Sequence, residues 1–458
     1  MIRTRIAPSP TGYPHIGTIY QALFNYAYAK KRNGKFIVRI EDTDQERFVK
    51  GSEEVIFKAL DWVGLTEDES PRKGGDFGPY RQSERLALYH EYAQKLVDMG
   101  YAYFSFYRKE DAGGKKDYTQ KDEKEVINSV FEDVPKTITE MIDRSNWVLR
   151  MKIPKEEKIL FHDEIRGDIE FDSHQVTDQV LIKSDGFPTY HFAVVVDDHL
   201  MQISQILRAE EWISSTPKHI VLYKYFAWTM PPIYHTATLR NPDKSKLSKR
   251  HGHTNVIWFQ EEGYLPEAIL NFLALLGWTH PQEKELFSLK EFIELFDFKN
   301  IRPVAPIFDL KKLDWMNGMY IRTLSDEDLL ARLLHFDDSL KDIDKNMLLA
   351  LVAIAKTRIK ILKEFREMIM PFLKPVTNTA TSEEKEILTQ IKISFDALLD
   401  WNKDTIKNCL LTTFIQPKKI NFKTLYKLLL GIDNGLPLGE TFAAIGKEKT
   451  LVLLSKAK

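Results

Sequence analysis

Residues 1–19 read MIRTRIAPSPTGYPHIGTI, and this stretch decides the fold. Residues 2–6 alternate isoleucine and threonine with arginine, which is the period of a β-strand. A turn rich in proline and glycine follows at residues 8–14, and apolar side chains at residues 19–27 then recur at helical spacing. A strand, a tight turn and a helix in this order predict the start of a parallel α/β sheet, with any ligand at the carboxyl end of the strand.

The segments that follow extend this pattern. Residues 36–40 predict a buried strand that runs into an acidic loop, and a helix follows around residues 53–63. Later, residues 190–196 predict a return strand, residues 217–228 a helix and residues 233–239 a further strand. We therefore expect a doubly wound parallel sheet.

Composition sets limits on the kind of protein. The chain has 458 residues, 43% of them hydrophobic and 29% charged, which indicates a globular protein of about three domains. Its one cysteine, Cys409, excludes an intramolecular disulfide framework and an all-cysteine zinc site. No apolar run approaches the roughly 18 residues that span a bilayer, and residue 2 already begins a strand-like pattern where a leader would stand. We expect a cytoplasmic protein.

Charge and periodicity change towards the end of the chain. Residues 341–458 hold 20 Lys and Arg against 13 Asp and Glu, so this part carries +7 within a chain whose net charge is −1. Strand signals nearly vanish after about residue 325, and the pattern predicts a helical module. A polyanionic partner accounts for the charge, and a helical bundle with a lysine-rich solvated face accounts for it equally well.

Two stretches have the composition of phosphate-binding loops. In residues 8–18, Gly12 and Gly17 have the spacing of a phosphate loop, but residues 18–19 lack the Lys and Ser/Thr of a P-loop, which excludes that class of NTPase. His15 and the Thr18 hydroxyl are left to face phosphates. Residues 240–253 hold five Lys/Arg and one Asp, which predicts a mobile loop that closes over a polyphosphate. Alone, the histidine is more often structural, and the loop is equally compatible with a solvated basic turn.

Together the two stretches, PTGYPHIG and KLSKR, resemble class I aminoacyl-tRNA synthetases. Longer motifs narrow the resemblance to the glutamyl-tRNA synthetase branch and cover the first 325 residues densely. They are RIAPSPTG (5–12), RIEDTD (39–44), YRQSER (80–85), DGFPTYH (185–191), VVDDH (195–199), RAEEW (208–212) and NPDK (241–244). Beyond them the resemblance thins to a helical pattern and LKEF at residues 362–365.

The resemblance implies a domain order. A Rossmann-type catalytic domain is expected in two halves, separated by an α+β insertion that binds the tRNA acceptor end, and an all-α anticodon-binding region ends the chain. The expected boundaries are 1–99 and 186–239 for the catalytic halves, 100–185 for the insertion, 240–325 for the KLSKR loop with a stem-contact region, and 326–458 for the anticodon-binding region.

The resemblance also implies an activity and its residues. The family joins glutamate to ATP as glutamyl-adenylate and then transfers it to tRNA(Glu), releasing AMP and diphosphate. The implied glutamate-binding residues are Arg5, Ala7, Ser9, Glu41, Tyr190 and Arg208. The implied ATP-binding residues are Thr11, His15, Gly17, Trp212, Leu239 and Lys249. The implied catalytic residues are His15, Thr18, Lys246 and Lys249. Arg358 is expected to contact the anticodon.

Several finer points follow from comparing this sequence with the family pattern. Mg²⁺ is expected with ATP, whereas no zinc is predicted because residues 101–105 lack the cysteines that some relatives carry there. At the position of Val194 some family members have valine and others asparagine, which leaves one polar contact to the amino acid open. Asp42 and Asp44 are expected in turn or capping roles. We expect a monomer without membrane contact, and the sequence leaves open which arginine binds which carboxylate and whether tRNA(Gln) is also charged.

Two other functions are compatible with parts of the sequence. A nucleotidyltransferase acting on a small metabolite can share the histidine turn, but it needs neither the insertion nor a basic helical tail. A tRNA-binding protein with an inactive site would not need His15, Lys246 and Lys249 together. The dependence of tRNA affinity on salt separates the first alternative from a synthetase: a steep slope favours the synthetase, and a flat slope favours the small-molecule enzyme.

Overall fold

The computed structural model describes residues 1–106, 137–142, 147–155, 157–247, 254–374, 381–418 and 420–456. The chain divides into two compact units. The first comprises residues 1–258 and 270–309, and the second comprises residues 259–269 and 310–458. Lys249, which the resemblance implies as catalytic, lies outside the described residues.

The first unit contains all the described strands. These are β1 Arg3–Ile6, β2 Lys35–Val38, β3 Ala102–Phe106, β4 Trp147–Met151, β5 Lys158–Asp163, β6 Gly167–Asp172, β7 Gln179–Ile182, β8 Ile206–Ala209 and β9 Ile233–Thr236. Its helices are α1 Ile16–Lys31, α2 Ser52–Trp62, α3 Leu86–Asp98, α4 Ile138–Ile142, α5 Tyr190–Leu200 and α6 Thr216–Tyr225. The helices α7 Val256–Glu262 and α8 Pro266–Gly277 contribute residues to both units, and α9 Leu289–Leu295 belongs to the first.

Parallel strand pairs form the centre of this unit. β1 pairs with β2 and β8 pairs with β9, each over four residues in parallel register. β1 lies beside β8, where the Ser204 N–H donates to the Arg3 carbonyl oxygen at 2.9 Å. Buried apolar side chains of α1, such as Ile19 and Leu23, cover one face of the sheet. The expected α/β architecture with a parallel sheet is confirmed.

The strands between residues 102 and 182 contribute to two sheets. β3, β4 and β7 form an antiparallel sheet of their own. The β5–β6 hairpin instead pairs with β9, where Asp163 stands opposite Ile233 in parallel register. The four-stranded sheet therefore has the order β6-β5-β9-β8 and is mixed.

The return strand predicted at residues 190–196 is wrong. This stretch is the helix α5, and its residues from Phe192 to Asp198 are buried. A helix buried on all sides has an uninterrupted apolar sequence, which matches a buried strand equally well at this length. The strand in this part of the chain is β8, which follows α5 in the sequence. Its residues from Ile206 to Arg208 are buried.

The second unit is helical, as predicted. After α8 its helices are α10 Leu310–Thr323, α11 Asp326–Phe336, α12 Lys345–Ala355, α13 Lys363–Leu373, α14 Ser382–Asp396, α15 Lys403–Leu410, α16 Phe422–Leu430, α17 Leu438–Ile445 and α18 Lys447–Lys456, with a π-helical segment at Leu411–Ile415 and a turn at Gln416–Lys418. Leu351, Phe365, Phe395 and Phe442 are completely buried in its core. Within the described parts of the chain, no helix has both the length and the apolar character needed to cross a membrane.

Candidate active site

A cleft of about 620 Å³ opens at the carboxyl ends of β1, β8 and β9. The segments that follow these strands, residues 7–9 and 237–239, line it together with the first turn of α1. Most of the predicted site residues lie here: Arg5, Ala7, Ser9, His15, Gly17, Thr18, Glu41, Tyr190, Arg208, Trp212, Leu239 and Lys246. Residues distant in sequence therefore meet at one site because parallel strands end at one edge of a sheet.

Three predicted residues do not line this cleft within the described structure. Thr11 is an exposed residue of the turn before α1. Lys249 belongs to the undescribed part of the basic loop. Arg358 lies in the helical unit, where it lines another cleft of about 410 Å³ together with Lys403, Lys407 and Tyr426.

His15 caps the N-terminus of α1. Its Nδ1 accepts a hydrogen bond from the Gly17 N–H at 2.9 Å, so the neutral ring carries its proton on Nε2. A Cβ on residue 17 would stand 3.0 Å from that Nδ1, so glycine allows the ring to fold back on the helix. The N-terminus of a helix presents backbone N–H groups and a partial positive charge, which suit a phosphate.

The basic loop begins at this cleft and returns to the histidine turn. Lys246 lines the cleft and forms an ion pair with Glu211. On the far side of the loop, the Ile16 N–H donates to the Thr254 carbonyl oxygen at 2.7 Å. The N–H of Val256 donates to the Pro14 carbonyl oxygen at 3.1 Å. The described part of the basic motif, Lys246 and Leu247, and the histidine turn thus flank one cleft.

A buried charge network supports the floor of the cleft. Asp198 on α5 accepts two hydrogen bonds from Arg5, at 3.1 and 2.9 Å, and one from Arg39 at 2.8 Å. Burial opposes ionisation of Asp198, but the charges of Arg5 and Arg39 hold its pKa below the usual range. Arg39 also reaches Glu41 at 3.2 Å. Burial nevertheless raises the pKa of Glu41 to about 7.

Arg208 has a different environment. Its Nε donates to His235 Nε2 at 2.9 Å, its Nη1 lies 3.0 Å from His219 Nδ1, and its Nη2 donates to Thr216 Oγ1 at 2.8 Å. Among the residues that the structure describes, no carboxylate forms an ion pair with it. Burial lowers the pKa of Arg208, because a buried cation without a counterion is costly. Tyr190, whose ring centroid lies 4.3 Å from that of Trp212, covers the same side of the cleft.

Sequence reasoning missed the partners of these arginines. Asp198 was recognised only as part of a motif, and His219 and His235 were not singled out. The signal that the sequence offered is a histidine within the strand predicted at residues 233–239, because an imidazole buried in such a strand needs hydrogen-bond partners. Asp44 pairs with Arg47 three residues on, in keeping with the expected turn role.

Comparison with known proteins gives a consistent result across the chain. A family model for class I tRNA synthetases (E and Q), catalytic domain, matches residues 1–315, and an anticodon-binding domain model matches residues 327–458. A glutamate–tRNA ligase of Thermus thermophilus is 42% identical over all of both chains. That of a Marinomonas species is 41% identical over 98% of this chain and 93% of its own. A solved glutamate tRNA ligase from Elizabethkingia meningosepticum, in complex with its amino acid, superposes with a TM-score of 0.81 at 31% identity and covers 99% of this chain and 98% of its own.

Proposed function

Since the chain belongs to the class I tRNA synthetases of the glutamate and glutamine branch, we infer that it attaches L-glutamate to tRNA with ATP. The observation that carries this conclusion is the cleft in which Arg208, buried and without a carboxylate partner in the described structure, lies among the residues expected for glutamate and ATP. An anionic side chain in this cleft would supply the missing countercharge.

We propose that glutamate binds between the two arginines, Tyr190 and Glu41. Three of the five N–H groups of Arg5 are used by Asp198 and the Leu207 carbonyl, which leaves donors for a substrate carboxylate. Arg208 retains an unneutralised charge and is the stronger anion partner, which supports assigning the side-chain carboxylate to it. Ionised Glu41 would hold the substrate ammonium, while Ser9 and Ala7 contribute polar contacts along the loop after β1.

ATP would lie across the first turn of α1. His15, Gly17 and Thr18 suit the α-phosphate, and Lys246 with Lys249 suit the departing β- and γ-phosphates. The base would lie near Trp212 and Leu239, with Thr11 at the outer edge. The α-carboxylate of glutamate attacks the α-phosphorus, the bond to the bridging oxygen of diphosphate breaks, and no side chain becomes covalently modified.

Mg²⁺ would enter with ATP, held by phosphate oxygens. Among the described residues, no group of three or more His, Cys, Asp or Glu side chains is arranged to hold a metal ion. The predicted absence of zinc, the monomeric state and the cytoplasmic location stay predictions.

The tRNA would contact the rest of the chain. We propose that residues 100–185 bind the acceptor end, residues 240–325 the stem, and the helical region from residue 326 the anticodon. In this second unit, Arg358 lines a cleft with two lysines and the ring of Tyr426, which together suit a phosphate and a stacked base.

Aminoacylation tests the proposal. Purified chain, ATP and radiolabelled glutamate should charge tRNA(Glu) and release AMP, and a parallel reaction with tRNA(Gln) would define the tRNA specificity. Folded protein that charges neither tRNA would refute the proposal. Activation should be measured with tRNA present, because the family resemblance implies that tRNA can be required for that step.

A further inference from the structure

A continuous series of buried polar contacts runs through Arg208. Asp163 Oδ2 lies 2.5 Å from His235 Nδ1, and Nε2 of the same ring lies 2.9 Å from the guanidinium Nε. On the other side, the guanidinium meets His219 Nδ1 at 3.0 Å, and His219 Nε2 lies 3.2 Å from His191 Nδ1. Asp163 and His235 are completely buried. None of the three histidines belongs to the ATP-binding motifs.

Donor and acceptor chemistry fixes the proton on each ring. A guanidinium can only donate, so Nε2 of His235 must accept, and its proton therefore lies on Nδ1, directed at Asp163. By the same argument His219 accepts on Nδ1 and carries its proton on Nε2. That proton points at Nδ1 of His191, which must accept in turn. All three rings are neutral in this arrangement, and burial lowers the pKa of each of them.

Asp163 controls the first ring in the series. Its Oδ1 accepts the backbone N–H groups of Ile165 and Arg166, each at 2.9 Å, at the turn of the β5–β6 hairpin. The carboxylate is therefore fixed with its Oδ2 towards His235. The result is an arginine whose side-chain hydrogen bonds go to neutral acceptors, one of which, His235, is itself held by a carboxylate. Its charge is oriented without being neutralised by direct contact.

We propose that Asp163 and His235 are positioning residues that aim Arg208 at the substrate side-chain carboxylate and thereby set the preference for glutamate over an uncharged amide. This inference rests on the proposed function. An anion completes the charge balance of Arg208, whereas the amide of glutamine would leave a buried cation unpaired. The insertion between the catalytic halves thus takes part in amino-acid selection through its hairpin.

The substitution Asp163→Asn tests this sharply. Oδ1 of the new side chain would keep the two backbone N–H donors, so its NH₂ group would face His235 and require Nδ1 to accept. The ring proton would then move to Nε2 and oppose the N–H of Arg208, as the wrong tautomer does in hydrolase triads. Asp168→Asn is the matched control, because Asp168 forms an exposed pair with His162 on the same hairpin, at 2.7 Å.

We expect Asp163→Asn to raise KM for glutamate about 10- to 100-fold, the effect of losing one hydrogen bond to a charged group. Its KM for ATP should stay within about twofold, and its selectivity for glutamate over glutamine should fall about tenfold or more. Asp168→Asn should match the wild type. Selective ¹⁵N-histidine NMR should show the proton of His235 on Nδ1 in the wild type and on Nε2 in Asp163→Asn.

An Asp163→Asn enzyme whose KM and selectivity equal those of Asp168→Asn would overturn the proposal, as would wild-type His235 protonated on Nε2. If Asp163→Asn does not fold, the KM values for glutamate of His235→Gln and His235→Leu test the proposal in its place. Glutamine can donate to Asp163 and accept from Arg208, so it should keep KM near the wild-type value, whereas leucine should raise it. Equal KM values in this pair would refute the role. A wild type that charges no tRNA would instead refute the proposed function.

Discussion

Glutamate binding should depend on pH through Glu41. This carboxyl is 7% exposed, and burial raises its pKa to about 7 against the pull of Arg39 and Arg5. A raised carboxyl pKa means that the proton is held below pH 7, and only the ionised form can pair with the substrate ammonium. The ionised fraction rises from about one tenth at pH ~6 to about nine tenths at pH ~8, so KM for glutamate should fall roughly tenfold over this range.

The assay is aminoacylation at saturating ATP and tRNA across this pH range. Glu41→Gln provides the control, because it should bind glutamate more weakly and lose the pH dependence of KM. Calorimetry in buffers of different ionisation enthalpy should show that glutamate binding releases protons near pH ~6, as linkage requires. A wild-type KM that is flat from pH ~6 to pH ~8, or a slope that persists in Glu41→Gln, would refute the assigned role.

Three further substitutions address the phosphate site, the buried network and the tRNA. Lys249→Ala should slow glutamate activation by about 10²–10³-fold, as for one preorganised stabilising donor, and an unchanged single-turnover rate would contradict its role. Asp198→Asn should lower the free energy of unfolding by about 3–5 kcal/mol, because Arg5 and Arg39 would lose a buried counterion, and urea denaturation followed by tryptophan fluorescence would measure it. Arg358→Gln should change the ratio of kcat/KM for tRNA(Glu) and tRNA(Gln) while KM for glutamate stays constant; a parallel change in both tRNAs would argue against anticodon contact.

Local sequence pattern predicted the parts of the fold in which one face of an element is buried. The helices after residue 325 have such patterns, as in α11, where Leu329, Leu330 and Leu333 are buried, and this region is helical as predicted. The exception is α5, whose apolar residues from Phe192 to Val196 carry no periodicity because the helix is buried all round. The distinction between helix and strand there depends on neighbours that are remote in sequence.

The candidate site shows a similar division. Residues in long motifs, such as His15 and Arg208, could be named from the sequence because the motif carries the chemistry. Asp163 and His235 could not, since they are 72 residues apart and their relationship exists only after β5 pairs beside β9. Contacts that orient a functional side chain depend on tertiary structure, and a single sequence carries little local trace of them.

The interleaved strands between residues 102 and 182 restrict how this enzyme can be re-engineered. β3, β4 and β7 build one sheet, yet β5 and β6, which come between them in the chain, complete the other. No single pair of cuts can therefore excise the β3-β4-β7 sheet and leave the four-stranded sheet whole. Removal of residues 100–185 would uncover the edge of β9 and invite intermolecular strand pairing. A chimaera that exchanges this region between relatives must transplant the hairpin together with the strand against which it lies.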